Sequence, residues 1–439
     1  MTEQAADDDT EEILDGHLTH SLRDPRVARV LGPGLITGAS DDDPSGIGTY
    51  SQTGAAFGYQ LGWTMILTFP LMCAVQVASA RLGRSTGHGI AGNLARNYPA
   101  WLLHSLVGLL LFANIINIGA DLGAMADATR LLLGGPHIVY VAGFAVIVAT
   151  LEIFVSYKRY ARILKWLTLA LLAYVATLFL ADVEWDAALK GLVKPDLRWD
   201  TAVITTIVAI LGTTISPYLF FWQASEEVED IEANAKRGRL YDHPEQGPAA
   251  IERIEIDTIV GMALSNFIAL AIILTTAATL HQQGITDIET SAQAAEALRP
   301  VAGQFASAIF AAGIIGTGLL AVPVLAGSAA YGLGESRRWT VGLDRKPKEA
   351  RAFYAAIAIA TVIGASINFL PINPVKALYW AAVVNGVVSV PVMCVMMLMT
   401  GRREIMGEWV LGRGLRALGW LSTAVMATCV VAMFATMFL

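Results

Sequence analysis

The sequence predicts an all-α, polytopic membrane protein of about 11 transmembrane helices, arranged as two inverted repeats of five with one extra span. Three observations lead there. Of 439 residues, 55% are hydrophobic and only 15% charged, against roughly 25% charged in an ordinary soluble domain. The apolar residues fall in runs of about 20 or more, long enough to cross a hydrocarbon core of roughly 30 Å. Two runs carry a proline beside polar residues, at matching places in the two halves of the chain. The runs lack period-2 alternation, which excludes an outer-membrane barrel. So apolar a composition also excludes a soluble enzyme or a nucleic-acid binder.

Residues 1–29 are acidic, with Asp7, Asp8, Asp9, Glu11 and Glu12, and read as a disordered cytoplasmic tail. That sign is wrong for a secretory signal peptide. Residues 30–439 read as a single transmembrane domain. Spans are predicted at 30–57, 60–81, 101–129, 137–156 and 161–181 in repeat one (about 30–181). Repeat two (about 202–399) holds 202–230, 255–280, 302–333, 351–370 and 375–399, and 416–438 is the extra span. Of the 30 lysines and arginines, all but six lie in alternate connections, beginning with the tail. The positive-inside rule then puts the N-terminus in the cytoplasm and the C-terminus outside a cell membrane. No connection is long enough to fold as an extramembrane domain. Cys73, Cys394 and Cys429 lie inside apolar runs without metal-type spacing and read as packing residues.

The first break reads Asp41-Asp42-Asp43-Pro44-Ser45-Gly46-Ile47-Gly48, and the sixth span reads Gly212-Thr213-Thr214-Ile215-Ser216-Pro217-Tyr218. Proline removes a backbone donor and clashes with the preceding turn, so each helix should unwind there. Unwound backbone at membrane depth survives only when buried in protein or lining a cavity. Pro44 and Pro217 each open a set of five spans, the mark of an inverted repeat with a substrate site where the breaks meet. A carboxylate at mid-membrane is expensive and marks function by default. Asp43, with freed carbonyls and hydroxyls around it, makes a hard-cation site. Gly46 frees backbone beside it, while Asp41 and Asp42 read as lining the entry or capping the second half-helix rather than ligating directly. From the second break, Ser216 and the carbonyls near Thr213 are candidate ligands; Asn385 in span ten is a further one, with helix packing as its commoner reading. Neither break holds a methionine, cysteine or histidine, which tilts the ion toward Mg²⁺, then Mn²⁺.

Two further polar faces are candidates for the permeation path. Asn114, Asn117 and Asp121 share one face of span three at spacings of three and four; interhelical hydrogen bonding is their other reading. Gln223 and Glu227 continue the face of Ser216 toward the cytoplasm and read as a cation exit. A solvated charge run paired with Lys236, Arg237 and Arg239 is the alternative. His88, His104, His137 and His281 lie near span ends, where an interfacial role is the default. No nucleophile–base pair of catalytic spacing is present, so no enzyme is expected. No cofactor is expected beyond the transported ion, and no partner beyond divalent cations and the bilayer.

These residues carry a resemblance. Leu31-Gly32-Pro33-Gly34 with Asp43-Pro44, Ser79-Ala80-Arg81-Leu82-Gly83 with Thr86-Gly87, Arg253 to Asp257 with Asn266, and Arg402 to Glu408 occur in order along the chain. In these the sequence resembles the NRAMP family of divalent-metal transporters, and within it the divergent NRAMP-related magnesium transporters. The resemblance implies a LeuT-like fold and transport by alternating access, with Asp43 as the retained ligand. It also exposes departures. The family's D-P-G-N reads Asp43-Pro44-Ser45-Gly46, and its M-P-H reads Ser216-Pro217-Tyr218. A hydroxyl thus replaces the thioether that implies preference for transition metals, and glycine for asparagine should leave space for an ion that keeps more water. The family's span-three acids map to Asn114, Asp121 and Ala124, and Tyr218 stands where its histidine would, implying weak or no proton coupling. The expectation is Mg²⁺ transport with Mn²⁺ accepted. The alternatives are a proton-coupled Mn²⁺/Fe²⁺ importer and a cation channel with Asp41 to Asp43 as selectivity ring. Against the channel, both breaks lie in one chain.

Overall fold

A computed structural model describes residues 33–155, 169–195, 198–234 and 236–438. The predicted tail at 1–29, the first residues of span one and the first half of span five lie outside these. Every regular element among the described residues is helical. In chain order the α-helices of six residues or more are α1 (Pro33–Asp41), α2 (Pro44–Phe57), α3 (Trp63–Thr86), α4 (Ile90–Asn97), α5 (Ala100–Leu133), α6 (His137–Phe154), α7 (Leu172–Leu178) and α8 (Trp185–Val193). They continue as α9 (Thr201–Thr214), α10 (Pro217–Glu232), α11 (Gly247–Thr279), α12 (Ser291–Glu296), α13 (Ala306–Ser336), α14 (Arg351–Ser366), α15 (Pro374–Thr400) and α16 (Arg413–Phe438). Among the described residues, nine helical stretches are long and apolar enough to cross a membrane, the α9–α10 pair counting as one. The two other predicted spans are the broken α1–α2 pair and the stretch whose described part ends in α7.

Both breaks form for the reasons their sequences suggest. Asp43 adopts an extended backbone (φ −67°, ψ 168°) and N-caps α2, and Pro44 occupies the first helical position, where a missing N–H is harmless. Ser216 takes the same place before Pro217 and α10, again extended (φ −79°, ψ 137°). Unlike Asp43, its side chain does not cap the helix; the hydroxyl turns back to donate to the Gly212 and Thr213 carbonyls (2.7 and 2.9 Å).

Packing brings the two breaks to the centre of the bundle. α1 and α2 lie against α11, α2 and α9 against α15, and α10 between α3 and α13. Gly212 is a tight point: a Cβ there would stand 2.0 Å from the Ala382 carbonyl oxygen, so only glycine lets α9 and α15 touch backbone to backbone. Large apolar side chains such as Phe112, Phe154, Ile363 and Val431 remain exposed around the rim, as expected of a surface solvated by lipid.

Candidate cation site

Asp43 is buried (1% exposed) and is the hub of the first break. Its Oδ1 accepts the Gly46 N–H (2.6 Å) and the Ser45 hydroxyl (2.8 Å). Its Oδ2 accepts from Asn117 Nδ2 (3.1 Å) and from the Tyr218 hydroxyl (3.2 Å). Tyr218 also donates to the Ser40 carbonyl at 3.0 Å. One carboxylate therefore ties together α2, α5 and the start of α10. All four donors are neutral, and none is a cation that would neutralise a carboxylate there.

The second break lies directly beside the first. A Cβ on Gly46 would meet Thr213 Oγ1 at 3.1 Å, the Asp41 carbonyl at 3.2 Å and the Tyr50 ring at 3.3 Å. The expectation that Gly46 leaves open space is therefore corrected. The missing side chain is the gap into which Thr213 fits, and it lets the two breaks touch. Asn385 is fully buried with neither amide atom partnered. Ser389, one turn on, donates to the Ile215 carbonyl (2.6 Å), so this face of α15 is turned to the second break.

The polar face of α5 divides. Asn114 donates to the Leu325 carbonyl and Ser328 hydroxyl of α13 (2.8 and 2.7 Å), which is the interhelical reading. Asn117 reaches Asp43. Asp121, one turn further, is buried; it points toward the Ser45 backbone without closing a hydrogen bond.

Toward the end of the bundle that carries the basic connections, the buried polar groups are paired with one another. Ser265 of α11 donates to Asp41 Oδ2 (2.6 Å), and the same hydroxyl lies 3.1 Å from Asp42 Oδ1. These carboxylates are buried beside the break and do not line an open mouth. Thr37 donates to Gln223, and Arg253 of α11 holds Glu227 at 2.5 Å with Asp230 at 3.7 Å. The expected pairing with Lys236, Arg237 and Arg239 is corrected for Glu227. Arg237 meets Asp230 and Arg239 meets Asp242, while Glu226, Glu227 and Glu229 are buried. Three of the span-six acids are thus buried rather than part of a solvated run, while Glu232 stays exposed and pairs with Arg345. At the opposite end, Leu378 lies against Gly48, and a space of about 20 Å³ lies among Ile47, Phe310, Ile314 and Leu378. That holds one water at most.

Sequence reasoning missed Ser265 and Ser389, which carry no signal in an apolar run. Arg253 was visible as a cation beside a span but gave no indication of its partner.

Discontinuous helices meeting at a buried carboxylate define a membrane carrier of the LeuT kind. The structure of MhsT in complex with L-phenylalanine shares the fold, with a TM-score of 0.61 at 14% identity over 92% of this chain and 98% of that one. The manganese transporter of Eremococcus coleocola superposes more closely, with a TM-score of 0.72 at 16% identity, covering 93% of this chain and 87% of that one. The sequence profile described as natural resistance-associated macrophage protein-like matches residues 34–436. The chain belongs to the Nramp family of divalent-metal transporters and is a multi-pass membrane protein. The divalent metal cation transporter MntH of Pectobacterium carotovorum is 25% identical over 406 residues, 89% of this chain and 90% of the relative. MntH of Burkholderia ambifaria is 26% identical over 414 residues, 90% of this chain and 86% of the relative.

Proposed function

We infer that the protein carries Mg²⁺, with Mn²⁺ also accepted, across the cell membrane by alternating access and with weak or no proton coupling. The observation that supports this best is the donor chemistry around the breaks. Asp43, Ser216, Thr213 and Asn385 offer a carboxylate, hydroxyls, an amide and freed carbonyls, all hard. Among the described residues, no three His, Cys, Asp or Glu side chains are grouped to hold a metal. Soft ions recruit thiolate, thioether or imidazole, whereas Mg²⁺ takes one or two carboxylates and keeps several waters. Asp43 is the principal ligand in this reading, and the basic connections face the cytoplasm, so that Gln223 and Glu227 stand at the exit.

Proton coupling has little to work with, because Asp121 is the one carboxylate on the α5 face and Tyr218 occupies the histidine's place. Coupling is also unnecessary for uptake. A divalent ion crossing 100 mV gains about 4.6 kcal/mol, enough for accumulation on the order of a thousandfold. A proton-coupled Mn²⁺ importer is the competing reading, favoured by the manganese transporter among the similar structures. Titration calorimetry with Mg²⁺ and Mn²⁺, repeated for Asp43→Ala, tests the site; unchanged binding in the variant removes Asp43 from it. Liposome flux tests the ion. Mn²⁺ uptake insensitive to millimolar Mg²⁺, or Mg²⁺ entry that acidifies the lumen, overturns the reading.

A further inference from the structure

A cation that keeps its water presents hydrogens outward, so the walls around it must supply acceptors. Buried oxygens without a partner do gather at the breaks: Asp41 Oδ1, Asn117 Oδ1, both oxygens of Asp121 and Asn385 Oδ1. Native structures leave few such groups, and each one asks for an explanation such as an absent water or ion. Another lies on α3, which packs against the second half of the second broken pair. Gln76, in the middle of α3, is fully buried with neither Oε1 nor Nε2 bonded.

Helix register shows what Gln76 faces. α3 runs parallel to α10, and Ser79 donates to the Phe220 carbonyl, 141 positions later. At Gly83 a Cβ would stand 2.1 Å from the Ala224 carbonyl, the same offset again. Gln76, Ser79 and Gly83 share one helical face at spacings of three and four. Carried back one turn, that register sets Gln76 against Pro217, the residue after Ser216. Cys73, a turn earlier on α3, lies within electrostatic range of Asp41. That register turns the Gln76 amide, buried and without a bonding partner, toward the second break.

We propose that Gln76 is a specificity-determining residue, whose Oε1 accepts a hydrogen from a water retained by the ion at the Ser216–Pro217 break. This rests on the Mg²⁺ reading above. An acceptor for retained water favours an ion that holds its water tightly, and so favours Mg²⁺ over Mn²⁺ without touching either directly.

The test is initial-rate uptake of Mg²⁺ and of Mn²⁺ into proteoliposomes by the wild type, Gln76→Leu and Gln76→Glu. Gln76→Leu keeps the bulk and removes the acceptor; its KM for Mg²⁺ should rise about tenfold, with KM for Mn²⁺ rising less than threefold. Gln76→Glu keeps an acceptor oxygen and should hold the Mg²⁺/Mn²⁺ ratio of KM values near wild type. Gln76→Met, of similar length, replaces the leucine variant if that one does not fold. A ratio unchanged in the leucine or methionine variant, whether both constants stay or both rise together, assigns Gln76 to packing and overturns the proposal. A wild type inert to Mg²⁺ overturns the functional reading instead and takes this one with it.

Discussion

The pair formed by Glu227 and Arg253 joins α10 to α11 at the basic end of the path, and its loss should loosen that end. Glu227 is fully buried and the Arg253 side chain is 15% exposed, with 2.5 Å between them. Exposed pairs such as Arg299–Glu296 contribute about 0–1 kcal/mol. Removing one partner of a buried pair costs about 3–5 kcal/mol, because the other charge is left uncompensated. Asp230, 3.7 Å from Arg253, takes over part of the pairing, so the lower end, about 3 kcal/mol, applies here. On the view that this pair holds the end closed, Glu227→Gln should shift the closed–open balance by on the order of 100-fold. Thr37, which donates to Gln223 on the same path, reports it. In a background lacking Cys73, Cys394 and Cys429, Thr37→Cys should react with a membrane-impermeant maleimide far faster once Glu227→Gln is added. Exchanging the charges, with Glu227→Arg and Arg253→Glu together, should slow it again. An unchanged rate in a folded Glu227→Gln protein refutes the view that this pair holds the path shut.

Three other outcomes follow from the geometry. Gly46→Asn, which restores the family's residue, drives a side chain into Thr213 and the Asp41 carbonyl; thermal unfolding should show a loss of about 1–3 kcal/mol, with weaker Mg²⁺ flux. Ser216→Met adds a soft donor at the second break and removes a hard one, so competition assays should show Mn²⁺ and Cd²⁺ gaining over Mg²⁺. His88, in the connection between α3 and α4, is pushed down to about 4 by burial and then by the charges of Arg96 and Arg239. The unfolded chain, with an ordinary value near 6.5, takes up a proton there that the folded protein refuses. Stability from this group is therefore complete above pH 6.5 and lost as pH falls toward 4; unfolding midpoints across that range should fall less steeply in His88→Asn.

Much of this protein is legible in its sequence, for local reasons. Hydropathy over about 20 residues decides whether a segment prefers lipid, and a proline after a capping residue decides where its backbone must stop. Both breaks, the carboxylate at the first and the hard donor at the second can be read that way, because each is a property of neighbours in the chain. Partnership is another matter. That Asp43 is held by Asn117 and Tyr218, that Thr213 fills the gap at Gly46, and that Glu227 meets Arg253 rather than the cations just after it are tertiary facts. Each depends on how far a helix is turned about its axis and at what depth it meets its neighbour. A single apolar run leaves both free, since lipid accepts every side of it alike. Close backbone packing, as at Gly212 and Gly83, fixes that rotation and depth only when helices from distant parts of the chain come together.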